Sequence, residues 1–158
     1  MKAAPTQRGV ITVMSRDEIL GRASPLARRF RTLFVERLGH LPYAEEYTNR
    51  YELSVPAPHP DLGELRVRDD GDELTISVGP HHWHVALDRF DHASPGRQVD
   101  LAAEAAVGDV QRLVEGRTVL RVQRRDGRVG ATMGYDIGHP HIGPPGEDEV
   151  EYLWTGPR

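Results

Sequence analysis

The stretch ELRVRDDGDELTISVGPHHWHVALDRFDH, residues 64–92, carries the clearest structural pattern in the chain. Apolar and polar residues alternate on both sides of an Asp-Asp-Gly-Asp turn, which is typical of two antiparallel strands joined as a hairpin. Gly71 in that turn can adopt a positive φ without a steric clash. Gly79-Pro80 then interrupts the pattern, because proline has no N–H to donate to a neighbouring strand. The stretch therefore predicts two paired strands followed by a break.

A further predicted strand, residues 81–88, follows this break and brings histidines and a carboxylate together. Successive side chains of a strand point to opposite faces, so Trp83 and Val85 are expected on the core side with Leu87. The polar side chains are expected on the opposite side or in the loop that follows: His82, His84, Asp88, Asp91 and His92. We interpret this polar group as the centre of a functional surface.

Helical signals lie before and after this region. Ser15 and Glu18 have the spacing of a capping box, which predicts a short helix through residue 22. Ser24-Pro25 starts a second helix, in which apolar residues recur at helical spacing up to Gly39. Residues 98–115 carry another apolar stripe, rich in alanine. The arginines of the second helix are expected to form a solvated face, with an anion or partner contact as the alternative: Arg28, Arg29 and Arg31.

Residues 47–55, 118–124, 128–133 and 147–154 complete the set of predicted strands. With the helices on either side, this order predicts an α+β domain over residues 15–158. We expect a single antiparallel sheet of about six to seven strands with two helices packed on one face. Residues 1–14 show no periodicity and are expected to form a flexible N-terminal extension.

Composition narrows the classes of function. The chain has 158 residues and no cysteine, which excludes disulfides and thiolate chemistry and favours the reducing cytoplasm. No apolar run approaches the roughly 20 residues of a membrane span. Residues 1–50 have a net charge of +4, whereas residues 51–158 have a net charge of −8. An acidic surface repels phosphate groups and favours basic partners, so nucleic-acid binding is disfavoured.

A metal site is the main enzymatic alternative. His82 and His84 form one His-x-His pair and His139 and His141 form another, and neutral imidazoles can converge on one ion. The sequence lacks the HExxH motif, the Gly-x-Ser-x-Gly elbow, the Walker loop and the GxGxxG motif. The motifs therefore leave two alternatives open: a binding protein, or a small metal-dependent enzyme or sensor.

Three segments carry a family resemblance: DELTISVGPHHWHVALDRFD, the alanine-rich helix ending before VLRVQRRDGRVG, and the closing VEYLWTG. Together they resemble small bacterial α+β proteins of polymorphic-toxin loci, which are taken to be immunity proteins. The resemblance spans about residues 47–155. It implies a protein without catalysis or cofactor that neutralises a toxin domain by direct stoichiometric binding.

The predicted partner-binding surface combines the polar and aromatic groups of the 81–92 region with an acidic run near the C-terminus. Its residues are His82, Trp83, His84, Asp88, Asp91, His92, Glu147, Asp148 and Glu149. We expect a protein partner, with a basic toxin domain favoured by the charge. The sequence leaves the oligomeric state open.

Overall fold

The computed structural model describes residues 14–139 and 142–158. Within these ranges the chain forms an α+β fold of three α-helices, one short 3-10 helix and two antiparallel sheets. The helices are α1 (Arg16–Arg22), α2 (Pro25–Leu38) and α3 (Pro95–Val114). The predicted flexible extension falls outside the described residues except for Met14, which is half-buried against the core.

The first sheet is a meander of five strands in chain order. They are β1 (Ala44–Tyr47), β2 (Tyr51–Pro56), β3 (Glu64–Asp69), β4 (Glu73–Val78) and β5 (His81–Ala86). The predicted hairpin is confirmed: Asp69 pairs with Leu74 across the turn, and Gly71 has a φ of 97°. Residues 47–55 were predicted as one strand, but the chain turns within them and forms the β1–β2 pair.

The second sheet has the order β7-β6-β8-β9. Its strands are β6 (Thr118–Arg125), β7 (Arg128–Asp136), β8 (Glu149–Leu153) and β9 (Gly156–Pro157). The predicted single sheet is therefore wrong. Strand periodicity identifies strands but carries no information about which distant strands pair, and here the 20-residue helix α3 separates β5 from β6. β6 then pairs on both sides within its own sheet, with β7 and β8.

The core lies between the helices and the first sheet and extends to one face of the second sheet. α2 and α3 pack against each other, and the alanines of α3 permit a close approach. Phe30 and Phe34 of α2 are fully buried, as is Leu113 of α3. Ser24 caps α2 by accepting a hydrogen bond from the Ala27 N–H, as its sequence signal predicted.

The arginines of α2 do not form one solvated face. Arg28 is exposed, as expected, but Arg29 pairs with Asp100 of α3 at 2.8 Å. Arg31 pairs with Glu45 of β1 at 2.8 Å, and only 16% of its side chain is exposed. Two of the three arginines therefore connect α2 to neighbouring elements.

Asp69 joins the hairpin to the start of α2. It is the last residue of β3, faces inward and is 8% exposed. Its carboxylate accepts one hydrogen bond from the Ser24 N–H at 2.7 Å and another from the Gly71 N–H at 3.0 Å. One buried carboxylate thus satisfies donors of both the turn and the helix N-cap residue.

Replacing Asp69 with Ala is expected to lower the free energy of unfolding by about 3 kcal/mol, because two partly buried N–H groups lose a charged acceptor. The measurement is urea denaturation followed by circular dichroism. Asp72→Ala is the matched control, since Asp72 is exposed in the same turn. Equal stability of the two variants would contradict the role of Asp69.

Candidate functional site

The side chains of β5 divide between two sides of the first sheet. His82 and His84 are exposed on the face opposite the helices, while Val85 is fully buried in the core. His81 and Trp83 share the side of Val85 and are half-buried. The predicted alternation is confirmed for residues 82–85, but Leu87 and Asp88 lie in the 3-10 helix Leu87–Phe90 and not in the strand.

The outer face of the first sheet, which we call the sheet face, carries polar side chains in register. Ser54, Arg66, Ser77 and His82 lie in one cross-strand row. A second row contains Glu52, Arg68, Thr75 and His84. These side chains lie on the side of the first sheet that faces away from its core.

Asp70 anchors one part of the sheet face. Its carboxylate accepts a hydrogen bond from the Thr75 hydroxyl at 2.6 Å and forms ion pairs with Arg50 and Arg68. Partial burial tends to raise the pKa of Asp70, but the hydrogen bonds from Thr75 and the two arginines outweigh it and lower that pKa. The anion therefore holds three polar side chains in place.

His84 extends this network without forming a catalytic triad. Its Nδ1 lies 3.1 Å from Thr75 Oγ1 and 3.3 Å from Glu73 Oε1. The Thr75 hydroxyl gives its one proton to Asp70, so His84 Nδ1 is the donor toward Thr75. In a nucleophilic triad the imidazole uses one ring nitrogen for the hydroxyl and the other for the carboxylate, whereas here Thr75 and Glu73 both approach Nδ1.

A cleft of about 650 Å³ opens on the other side of β5, between β5, α3 and the second sheet. His81 and Trp83 form one wall, and β6 and β7 form the opposite wall. The lining residues are His81, Trp83, Asp109, Arg112, Thr118, Leu120, Thr132, Met133, Gly134, Tyr135, Asp136, His139 and Ile142. The volume lies within the range of about 300–1,000 Å³ that is usual for ligand sites.

Asp109 organises the α3 end of the cleft. It accepts a hydrogen bond from the Trp83 indole N–H at 3.0 Å and pairs with Arg112 one turn along the helix. Arg112 Nε also approaches Asp136 Oδ1 at 3.6 Å. A single arginine therefore lies between carboxylates from α3 and β7.

His81 connects β5 of the first sheet to β7 of the second. Its ring stacks on Trp83 at a centroid distance of 5.6 Å, and its Nδ1 lies 3.0 Å from Thr132 Oγ1 of β7. A Cβ added at Gly134 would lie 3.0 Å from its Nε2, so the glycine makes room for the ring. Burial, together with the neighbouring His82, lowers the pKa of His81.

The far side of the second sheet contains another charged cluster. Arg121 is 9% exposed and donates to Glu151 at 2.5 Å and to the Gly143 carbonyl at 2.6 Å. Tyr135 donates to the same Glu151 oxygen. The cluster thus ties part of the loop before β8 to the strands.

The predicted site residues are divided among several places. Trp83 lies in the cleft, whereas His82 and His84 lie on the sheet face. The remaining predicted residues lie in the 3-10 helix, in the turn after it, or near β8: Asp88, Asp91, His92, Glu147, Asp148 and Glu149. Of the acidic run, Glu149 is the first residue of β8 and pairs with Arg121 at 3.5 Å, and Glu147 and Asp148 lie in the turn before it.

The alternative metal set is divided as well. His139 lines the cleft, His82 and His84 point to the sheet face, and His141 lies outside the described residues. Within residues 14–139 and 142–158, no group of three or more His, Asp or Glu side chains is arranged to hold a metal ion.

Sequence reasoning missed most of the polar residues in the cleft. His81 is not among the predicted site residues, although its parity with Trp83 places both on one side of the strand. Asp109 and Arg112 have the i, i+3 spacing of a helical ion pair, but nothing in the sequence connects them to β5. Asp136 lies beyond the predicted end of its strand.

Comparisons of the chain with protein-family models, curated proteins and solved structures give no significant match. In the part of the chain that the structure describes, no helix has the length and apolar character to cross a membrane. The sheet face and the cleft bring together most of the polar and aromatic side chains of β5 in the described part of the chain.

Gly134→Ala is expected to lower the free energy of unfolding by about 1–2 kcal/mol, because the new methyl group presses on the half-buried His81 ring. Gly130→Ala in the same strand is the control. There the nearest atom to an added Cβ is Gln123 Oε1, at 3.4 Å on a flexible side chain. In a His81→Ala background the penalty should disappear, and an unchanged penalty in that double-mutant cycle would contradict the contact.

The pKa of His81 predicts a pH dependence of stability. Because the folded pKa is lowered from the ordinary value of 6.5, the unfolded chain takes up a proton first as the pH falls. The contribution of His81 to the free energy of unfolding is therefore fully present above that value and decreases as the pH drops toward the folded pKa. His81→Gln should lose less stability than wild type between about pH 7.5 and about pH 5.5 in urea denaturation. Equal losses in the two proteins would contradict this assignment.

Proposed function

We propose that the protein is a non-catalytic binding protein of the immunity type, which neutralises a toxin domain by direct stoichiometric binding. The observation that carries this proposal is the sheet face. It presents polar side chains from four adjacent strands, and several of them are already held by hydrogen bonds and ion pairs. A surface ordered before binding loses less side-chain entropy on association.

The chemistry of the sheet face favours recognition over catalysis. Thr75 donates its proton in a hydrogen bond to the Asp70 carboxylate, so His84 does not activate it as a nucleophile. Asp70 keeps its charge because its pKa is lowered, which makes it a fixed anion and not an acid–base group at neutral pH. These groups therefore suit stable hydrogen bonding to a partner.

The expected interface centres on His82 and His84 and extends toward Asp88, Asp91 and His92, which follow β5 directly. The sequence resemblance supports a toxin domain as the partner. The net charge of −8 over residues 51–158 favours a basic one, since opposite charge accelerates association. The cysteine-free composition favours the cytoplasm as the place of neutralisation.

The test is co-expression of the tagged protein with the domains encoded beside its gene, followed by capture and surface plasmon resonance. Ser77→Arg places a long charged side chain in the middle of the sheet face, opposite His82 and Arg66. It is expected to weaken binding about tenfold or more, mainly through faster dissociation. Thr32→Arg is the matched control. Thr32 is exposed on α2, which covers the side of the first sheet opposite the sheet face.

Both variants must melt like wild type for the comparison to be valid. Failure to capture any neighbouring domain would contradict the proposed function. Capture with unchanged affinity for Ser77→Arg would contradict the sheet face as the interface.

A further inference from the structure

The cleft has apolar and aromatic walls with an excess of negative charge at one end. Leu120 contributes apolar surface, and Trp83 contributes an indole. Two carboxylates, Asp109 and Asp136, line the cleft with one guanidinium, that of Arg112. This combination favours a cationic ligand over an anionic one.

The two carboxylates differ in what they can still bind. Asp109 has one oxygen engaged by the Trp83 N–H and the other by Arg112, so its role is structural. Asp136 is approached on one oxygen by Arg112 Nε at 3.6 Å and by Thr118 Oγ1 at 3.5 Å, both long for hydrogen bonds. Its side chain is 63% exposed, which leaves it accessible to a further donor.

We propose that the cleft receives an arginine side chain of the protein partner, with its guanidinium against Trp83 and hydrogen-bonded to Asp136. A guanidinium is planar and weakly hydrated, so it stacks on aromatic rings and pairs with a carboxylate through two N–H groups. The aliphatic part of the arginine packs on the apolar side chain of Leu120. This inference rests on the proposed function for the statement that the ligand belongs to a protein.

Other ligands fit the lining less well. An anionic group would approach Asp109 and Asp136 and be repelled by both. A neutral apolar group would cover Asp136 without supplying a donor, and burying a carboxylate whose two side-chain contacts are long is costly. An arginine side chain supplies a positive charge to Asp136 and an aliphatic chain that packs on the apolar surface of the cleft.

The test uses N-acetyl-L-argininamide as the probe and the indole N–H signal of Trp83 in ¹H–¹⁵N spectra as the reporter. The chain has two tryptophans and therefore two indole N–H signals. Trp83→Phe identifies the Trp83 signal because the substitution removes it. Asp136→Asn removes the proposed acceptor charge while keeping the side-chain size. Asp126→Asn is the matched control, because Asp126 lies in the turn at the other end of the same hairpin, where Asn also tolerates the φ of 50°.

Wild type and Asp126→Asn should show a saturable shift of the Trp83 signal, and Asp136→Asn should bind the probe at least about fivefold more weakly. The uncharged analogue N-acetyl-L-citrullinamide should also bind at least about fivefold more weakly to wild type. Equal binding of the two probes, equal binding to Asp136→Asn, or no saturable shift would overturn the inference. The titration needs no partner protein, so its failure is distinct from a failure of the capture experiment.

Discussion

The alternation of side chains along β5 is the constraint on which the rest of the structure depends. In six residues, His81–Ala86, the strand supplies an exposed pair of histidines to one face and a wall of the cleft to the other. A shift of one residue in its pairing with β4 would move the exposed pair into the cleft and the cleft wall into solvent. Val85, fully buried at the end of the strand, opposes that shift because its exposure would lose core packing.

Glycines allow the second sheet to approach the first. Gly134 of β7 faces the His81 ring, and at Gly156 of β9 an added Cβ would lie 2.7 Å from Cδ2 of His59. A histidine of β5 and a histidine of the β2–β3 loop thus contact glycines in β7 and β9, the two edge strands of the second sheet. The cleft is the space between these sheets and α3, where Asp109 connects the helix to Trp83. The same packing that holds the sheets together therefore shapes the proposed arginine site.

Local chemistry in the sequence predicted the local structure well. The capping signals before α1 and α2 and the Asp-Gly turn within residues 64–92 each specify a conformation over a few residues, and each was confirmed. The two-sheet arrangement, the pairing of Arg31 with Glu45 and the position of Asp136 beside Arg112 depend on contacts between distant segments. Periodicity assigns a residue to a face but does not say what lies opposite that face, so these contacts and most of the cleft lay beyond sequence reasoning.

The central claim is that β5 turns His81 toward the second sheet and His82 toward the sheet face. A ¹³C-edited NOESY spectrum of the labelled protein tests it most directly, because the imidazole protons of the two histidines report their neighbours separately. We predict cross-peaks between the His81 ring and the Gly134 α-protons, and between the His82 ring and Ser77, its partner across the β4–β5 pair. Cross-peaks from the His82 ring to Gly134 would contradict the account, since they would require the opposite orientation of every side chain in the strand.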